Sequence, residues 1–120
     1  GLATLDVLAS PGVVETIEQS LKTLCDGLGA LAREAGVPVL QTRVGSMACM
    51  FFNDGPVRNY AEATTSDTQR YATFFWTMLE NGVYLAPSQF EAMFMSSAHG
   101  ASEIDRTLSA AKKAFSAIIT

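Results

Sequence analysis

Apolar residues recur along this chain with two alternating periods. Leu2, Leu5 and Leu8 keep a helical step from the outset. No capping residue precedes them, so the spacing predicts a chain that begins inside a helix and is a fragment of something longer, with residues 1–9 as the end of that helix. Ser10-Pro11 then offers an N-cap and a proline at the first helical position. Val13, Ile17, Leu21, Leu24, Leu28, Leu31 and Ala35 follow in steps of four and three, the apolar stripe of an amphipathic helix. Gly36 stands where a left-handed C-terminal cap is wanted.

The period then shortens. Val37 to Val44 alternates Leu40, Thr42 and Val44 against Val39, Gln41 and Arg43, as a half-buried strand does. After Gly45-Ser46, Met47 to Phe52 is continuously apolar, which suits a central strand covered on both faces. Asn53-Asp54-Gly55-Pro56 is a turn. Ser66-Asp67-Thr68-Gln69 has the pattern of a capping box with Ser66 as the N-cap. Tyr71, Phe74, Phe75, Met78 and Leu79 form the face of the helix it opens, and Gly82 closes it. Two short strands are expected near Val83 to Leu85 and Ala92 to Ala98, on either side of a loop at Pro87-Ser88. A last helix starts near Ser102 and buries Ile104, Leu108, Ala111 and Phe115. Helices on one side of a small, mainly antiparallel sheet are the natural packing of this order, so the expected fold class is a two-layer α+β domain.

At 120 residues the chain fits one domain, and such a length buries roughly two thirds of the unfolded chain's surface. Hydrophobic content of 48% against 17% charged residues lies on the apolar side of average. This predicts surface reserved for another domain or subunit, and hence self-association or dye binding by the fragment alone. The net charge is −4 with no Lys/Arg stripe, which argues against a nucleic-acid partner. No apolar run reaches transmembrane length and no signal-peptide pattern opens the sequence, so no membrane partner is expected. Cys25 and Cys49 lie far apart in apolar contexts and read as reduced core residues in a reducing compartment.

Candidate chemistry is sparse. There is no Gly-x-Ser-x-Gly elbow, and the single histidine, His99, reads as structural. Gly27-x-Gly29 lies inside a helical pattern, without the strand-turn-helix context of a dinucleotide site. One histidine and no Cys-x-x-Cys leave a metal site almost without ligands. Lys22, Lys112 and Lys113 all fall on polar faces, poor positions for an imine-forming amine. The one unusual residue is Glu91, a carboxylate between Phe90 and the apolar run Ala92 to Met95. It is either turned into solvent or held at a site, because burying an unpaired charge is costly.

A longer pattern surrounds it. Gly45-Ser46-Met47 with Phe51-Phe52, Gly55-Pro56-Val57 with Asn59-Tyr60, Ser66-Asp67, and Met78-Leu79-Glu80 stand in order along the chain. They are followed by Gly82-Val83-Tyr84-Leu85-Ala86-Pro87-Ser88, Phe90-Glu91-Ala92, Ser97-Ala98-His99 and Ile104-Asp105. From Leu2 to about Ile118 the chain therefore resembles the C-terminal domain of the glutamate-1-semialdehyde 2,1-aminomutase family, within the class III pyridoxal-phosphate aminotransferases. Tyr84 to Ala92 is the specific part of the likeness, while Ala48 and Cys49 depart from the bulkier residues expected after Gly-Ser-Met.

The resemblance implies the small domain of a fold-type I transferase, residues 10–120, placed beside a larger domain from which residues 1–9 lead. It implies conversion of glutamate-1-semialdehyde into 5-aminolevulinate, the tetrapyrrole precursor, through exchange of pyridoxamine and pyridoxal 5'-phosphate. The Schiff-base lysine and the cofactor-binding residues would lie in the large domain, leaving the 120 residues inactive alone. It further implies a homodimer, in the cytoplasm or, in a plant or alga, the plastid stroma. Glu91 would stand where related aminotransferases use an arginine for a substrate carboxylate, and would contact an intermediate bearing an extra amine. Two alternatives remain open: a class III aminotransferase small domain with another substrate, and a non-catalytic α+β dimerisation or binding module.

Overall fold

The computed structural model describes residues 1–119. Helix α1 (Leu2–Ala9) leads into the long α2 (Val13–Ala35), and β1 (Leu40–Val44) and β2 (Met47–Phe51) form a hairpin. A short α3 (Tyr60–Ala63), α4 (Thr68–Glu80), β3 (Met93–Phe94) and α5 (Ala101–Ile119) complete the order. The three strands make an antiparallel sheet with β2 in the centre, as the apolar run predicts. Helices α2, α4 and α5 share one core with β2: Leu24 and Leu28, Phe74 and Met78, and Ala111 and Phe115 close over Met50 and Phe52. The rings of Phe74 and Phe115 lie 5.0 Å apart and those of Phe52 and Phe74 5.5 Å apart. This is the expected α+β domain, with aromatic packing at its centre.

The other sheet face is buried at Phe51 but open at its far end, so β2 is not covered on both faces as its continuous apolar run predicts. Val44 pairs with Met47 and Met47 with Phe94, so the three side chains form one row across all three strands. Their exposures are 73%, 40% and 67%. Helix α1 has no buried residue, and Leu2, Leu5, Val7 and Leu8 are exposed with it.

Several local expectations change. Ser10 does not cap α2; it ends α1, its N–H bonded to Val7 O at 3.1 Å and its hydroxyl donating to Asp6 O at 3.1 Å. Proline at 11 blocks continuation of α1, and Gly12, at φ +81°, makes the left-handed link into α2. The N-cap of α4 is Asp67, whose side chain accepts from Arg70 N–H at 3.0 Å, whereas Ser66 is buried in the preceding turn. The reason is α3, which the apolar spacing does not predict: its last turn runs on through Ser66, whose N–H bonds to Ala63 O at 3.0 Å.

No strand forms at Val83 to Leu85. Gly82, at φ +86°, places its N–H on Leu79 O and the Val83 N–H on Met78 O, at 3.0 and 2.9 Å. This is the paired closure of a helix C-terminus, so the Val83 amide is spent on α4 and not on a sheet. The later strand shrinks to Met93–Phe94. The first begins at Leu40 and not Val37, because the Val37 N–H closes α2 on Ala32 O at 2.9 Å.

The Gly27-x-Gly29 pair is explained by packing. A methyl group at Gly27 would fall 2.7 Å from Leu108 Cδ2, so the glycine lets α5 approach α2 closely. Among the described residues, no helix is long and apolar enough to cross a membrane.

Candidate functional site

The segment from Ala86 to Ala92 links the end of α4 to β3 and carries Glu91. It has almost no regular backbone pairing, yet it is anchored at three points. The Tyr71 hydroxyl, from the first turns of α4, donates to Ala86 O. Ser88 forms a tight turn, its Oγ accepting from Phe90 N–H at 3.1 Å and its carbonyl from Glu91 N–H at 3.2 Å. Gln89 is 3% exposed and points inward. Its Oε1 accepts from Phe52 N–H at 3.0 Å and its Nε2 donates to Asp67 O at 3.3 Å.

Phe90 and Glu91 follow this buried anchor and both face solvent. The Phe90 ring meets Tyr60 of α3 at 6.4 Å between centroids. The Glu91 carboxylate makes no hydrogen bond or ion pair among the described residues, and its charge reaches the Tyr71 phenol. That phenol is pushed up to about 12, first by burial and second by the charge of Glu91. Glu91 is thus an outward carboxylate on a loop held firmly from behind. Such a group is free to accept hydrogen bonds from an external cation at little desolvation cost.

The remaining candidates do not join it. Lys22 is paired with Asp26 at 2.6 Å on the exposed side of α2, and Lys113 donates to Asn81 Oδ1 at 3.2 Å. Lys112 is exposed on α5. His99 lies in the turn after β3, where Nδ1 accepts from Ser96 N–H at 3.0 Å. Burial pushes the Cys25 thiol up, as suits a core residue, and Cys49 is a second free, partly exposed thiol. Among the described residues, no three metal-ligating side chains gather. Gln89 does not stand out by residue type or spacing. Its one sequence signal is a lone amide inside an otherwise apolar and turn-forming stretch.

No protein-family model matches the chain. The glutamate-1-semialdehyde 2,1-aminomutase of Pelotomaculum thermopropionicum is 56% identical over 119 residues, covering 99% of this chain and 27% of the relative. That of Desulfosudis oleivorans is 51% identical over 115 residues, 96% of this chain and 27% of the relative. The matched stretch is the C-terminal part of these proteins. The chain thus spans about 27% of the length of the curated relatives it matches. Among solved structures, the FumI protein of Sphingopyxis in its PLP internal aldimine form superposes with a TM-score of 0.81 at 30% identity, over 98% of this chain and 26% of that one. An omega-transaminase from Sphaerobacter thermophilus reaches the same TM-score at 20% identity, over 92% and 25%, and shares the fold.

Proposed function

We propose that these residues are the C-terminal small domain of a glutamate-1-semialdehyde 2,1-aminomutase, the enzyme that isomerises glutamate-1-semialdehyde to 5-aminolevulinate for tetrapyrrole (porphyrin) synthesis. The observation that carries this reading is identity of 56% across 119 residues, a match that covers 99% of the chain. Residues 10–120 are the domain, and residues 1–9 end a helix leading from a larger one. The reading includes a homodimer in the cytoplasm, or in plastid stroma for a plant or alga. Two free cysteines, Cys25 and Cys49, agree with a reducing compartment.

Pyridoxal 5'-phosphate, exchanging with its pyridoxamine form, supplies the amine transfer when bound. The described residues do not fit a site for it: all three lysines lie on exposed helix faces, Lys22 paired with Asp26 and Lys113 with Asn81, and none is held as an imine-forming amine would be. Cofactor and Schiff-base lysine are therefore assigned to the large domain, and the 120 residues by themselves to an inactive state. What this domain contributes is a negative charge at a fixed position. Glu91, unpaired and exposed, attracts the second ammonium of a diamino intermediate, and the same charge repels the distal carboxylate of an ordinary dicarboxylic amino acid.

The test is Glu91→Gln in the complete enzyme. Loss of one hydrogen bond to a charged group, about 1.5–3 kcal/mol, predicts a fall in turnover of about ten- to a hundredfold. Cofactor absorbance should stay unchanged. Full turnover in this variant would overturn the assignment of Glu91.

A further inference from the structure

Three segments distant in sequence meet at the Gln89 amide. The Asp67 N–H donates to Phe52 O at 2.9 Å, which joins the N-cap of α4 to the end of β2. Gln89 completes the ring, accepting from Phe52 N–H at 3.0 Å and donating to Asp67 O at 3.3 Å. Its side-chain amide thus takes the place of a neighbouring strand's peptide group, with one acceptor and one donor aimed at two backbone partners. Among the described residues only Ser66 and Gln89 are buried polar side chains, and Ser66 lies beside the same ring, accepting from Asn53 Nδ2 at 3.4 Å.

The position of this ring in the chain matters more than its stability. Gln89 precedes Glu91 by two residues, and nothing among the described residues grips the Glu91 side chain directly. Its placement comes from the backbone alone: the Ser88 turn in front and the buried amide behind. We propose that Gln89 is a positioning residue of the enzyme: by hydrogen-bonding the Phe52 and Asp67 backbones, it sets where the loop presents the Glu91 carboxylate. The inference rests on the functional reading of Glu91. At neutral pH an amide satisfies both partners where an ionised carboxylate satisfies one. Glutamate has the same shape but places an acceptor against Asp67 O, and methionine offers neither group.

The experiment is a double-mutant cycle in the complete enzyme, with turnover normalised to cofactor absorbance so that lost folded protein does not count. Gln89→Glu is expected to lower kcat/KM about tenfold, mostly in kcat. In the Glu91→Gln background the same substitution should cost less than about twofold, because the group it positions is already gone. Equal losses in both backgrounds, or no loss in either, would overturn the proposal and leave Gln89 as a packing residue. Should Gln89→Glu not fold, Gln89→Met carries the same cycle, and the same two outcomes support or overturn the proposal. The wild-type enzyme adds an independent measurement: residue-resolved hydrogen exchange should find the Phe52 amide as protected as those of β2, and free exchange there would overturn the anchoring. Failure of the functional reading itself is separate, since it shows as full turnover in Glu91→Gln alone.

Discussion

The hydroxyl of Tyr71 donates to the carbonyl of Ala86, so the start of α4 holds the first residue of the loop that ends in Glu91. The contact joins a side chain whose ring belongs to the core to a backbone group that no sheet partner satisfies. Tyr71→Phe keeps the ring and removes the donor, at an expected cost of about 1 kcal/mol in urea unfolding. The pH dependence has a definite sign. The phenol is raised to about 12 in the fold, against about 10 in an unfolded chain. Between those values the folded protein keeps a proton that the unfolded chain loses. The contribution is complete below about pH 10 and lost as pH rises toward about 12, so the advantage of wild type over Tyr71→Phe should shrink and then reverse between about pH 10 and 12. A stability gap that stays constant over that interval would contradict the assignment.

Gly27 and Leu108 are expected to be coupled. Alanine is the better helix former by roughly 0.8–1 kcal/mol, yet its methyl group would meet Leu108 Cδ2 at 2.7 Å. Gly27→Ala should therefore destabilise the protein by about 1 kcal/mol through overpacking between α2 and α5. In a Leu108→Ala background the same change should become stabilising. Denaturant midpoints of the four proteins decide it, and a gain from Gly27→Ala in wild type would show that the helices yield easily.

The row of Val44, Met47 and Phe94 supplies surface for association, together with the exposed leucines of α1. The 120-residue chain should bind a hydrophobic dye and sediment as a concentration-dependent oligomer. Val44→Thr with Phe94→Gln, both on the open face, should weaken both signals while leaving helix content unchanged. A monomer that binds no dye would remove this face as a cohesive surface.

Much of this arrangement was legible because each local cue had one dominant physical cause. The stripe from Ile17 to Leu28 is buried as its spacing requires, and Gly36 and Gly82 end their helices in the left-handed region. The errors fell where groups had two competing uses. Ser10 had a hydroxyl able to cap forward or bond backward, and it bonds backward to Asp6. Val83 had the composition of a strand, but its amide was needed to close α4 on Met78.

The candidate site divides in the same way. Glu91 was visible as a charge out of place among apolar residues, and its resemblance to a family motif gave that charge a meaning. Gln89 and the Tyr71 hydroxyl were not visible as anchors, since their partners are backbone groups 37, 22 and 15 residues away. Sequence by itself determined the periodic elements, the central strand and the family likeness, because these depend on side-chain type at short spacing. Only the tertiary structure decided which amides remained for the Glu91 loop to use, because hydrogen-bond partners are allotted after the helices and the sheet have taken theirs.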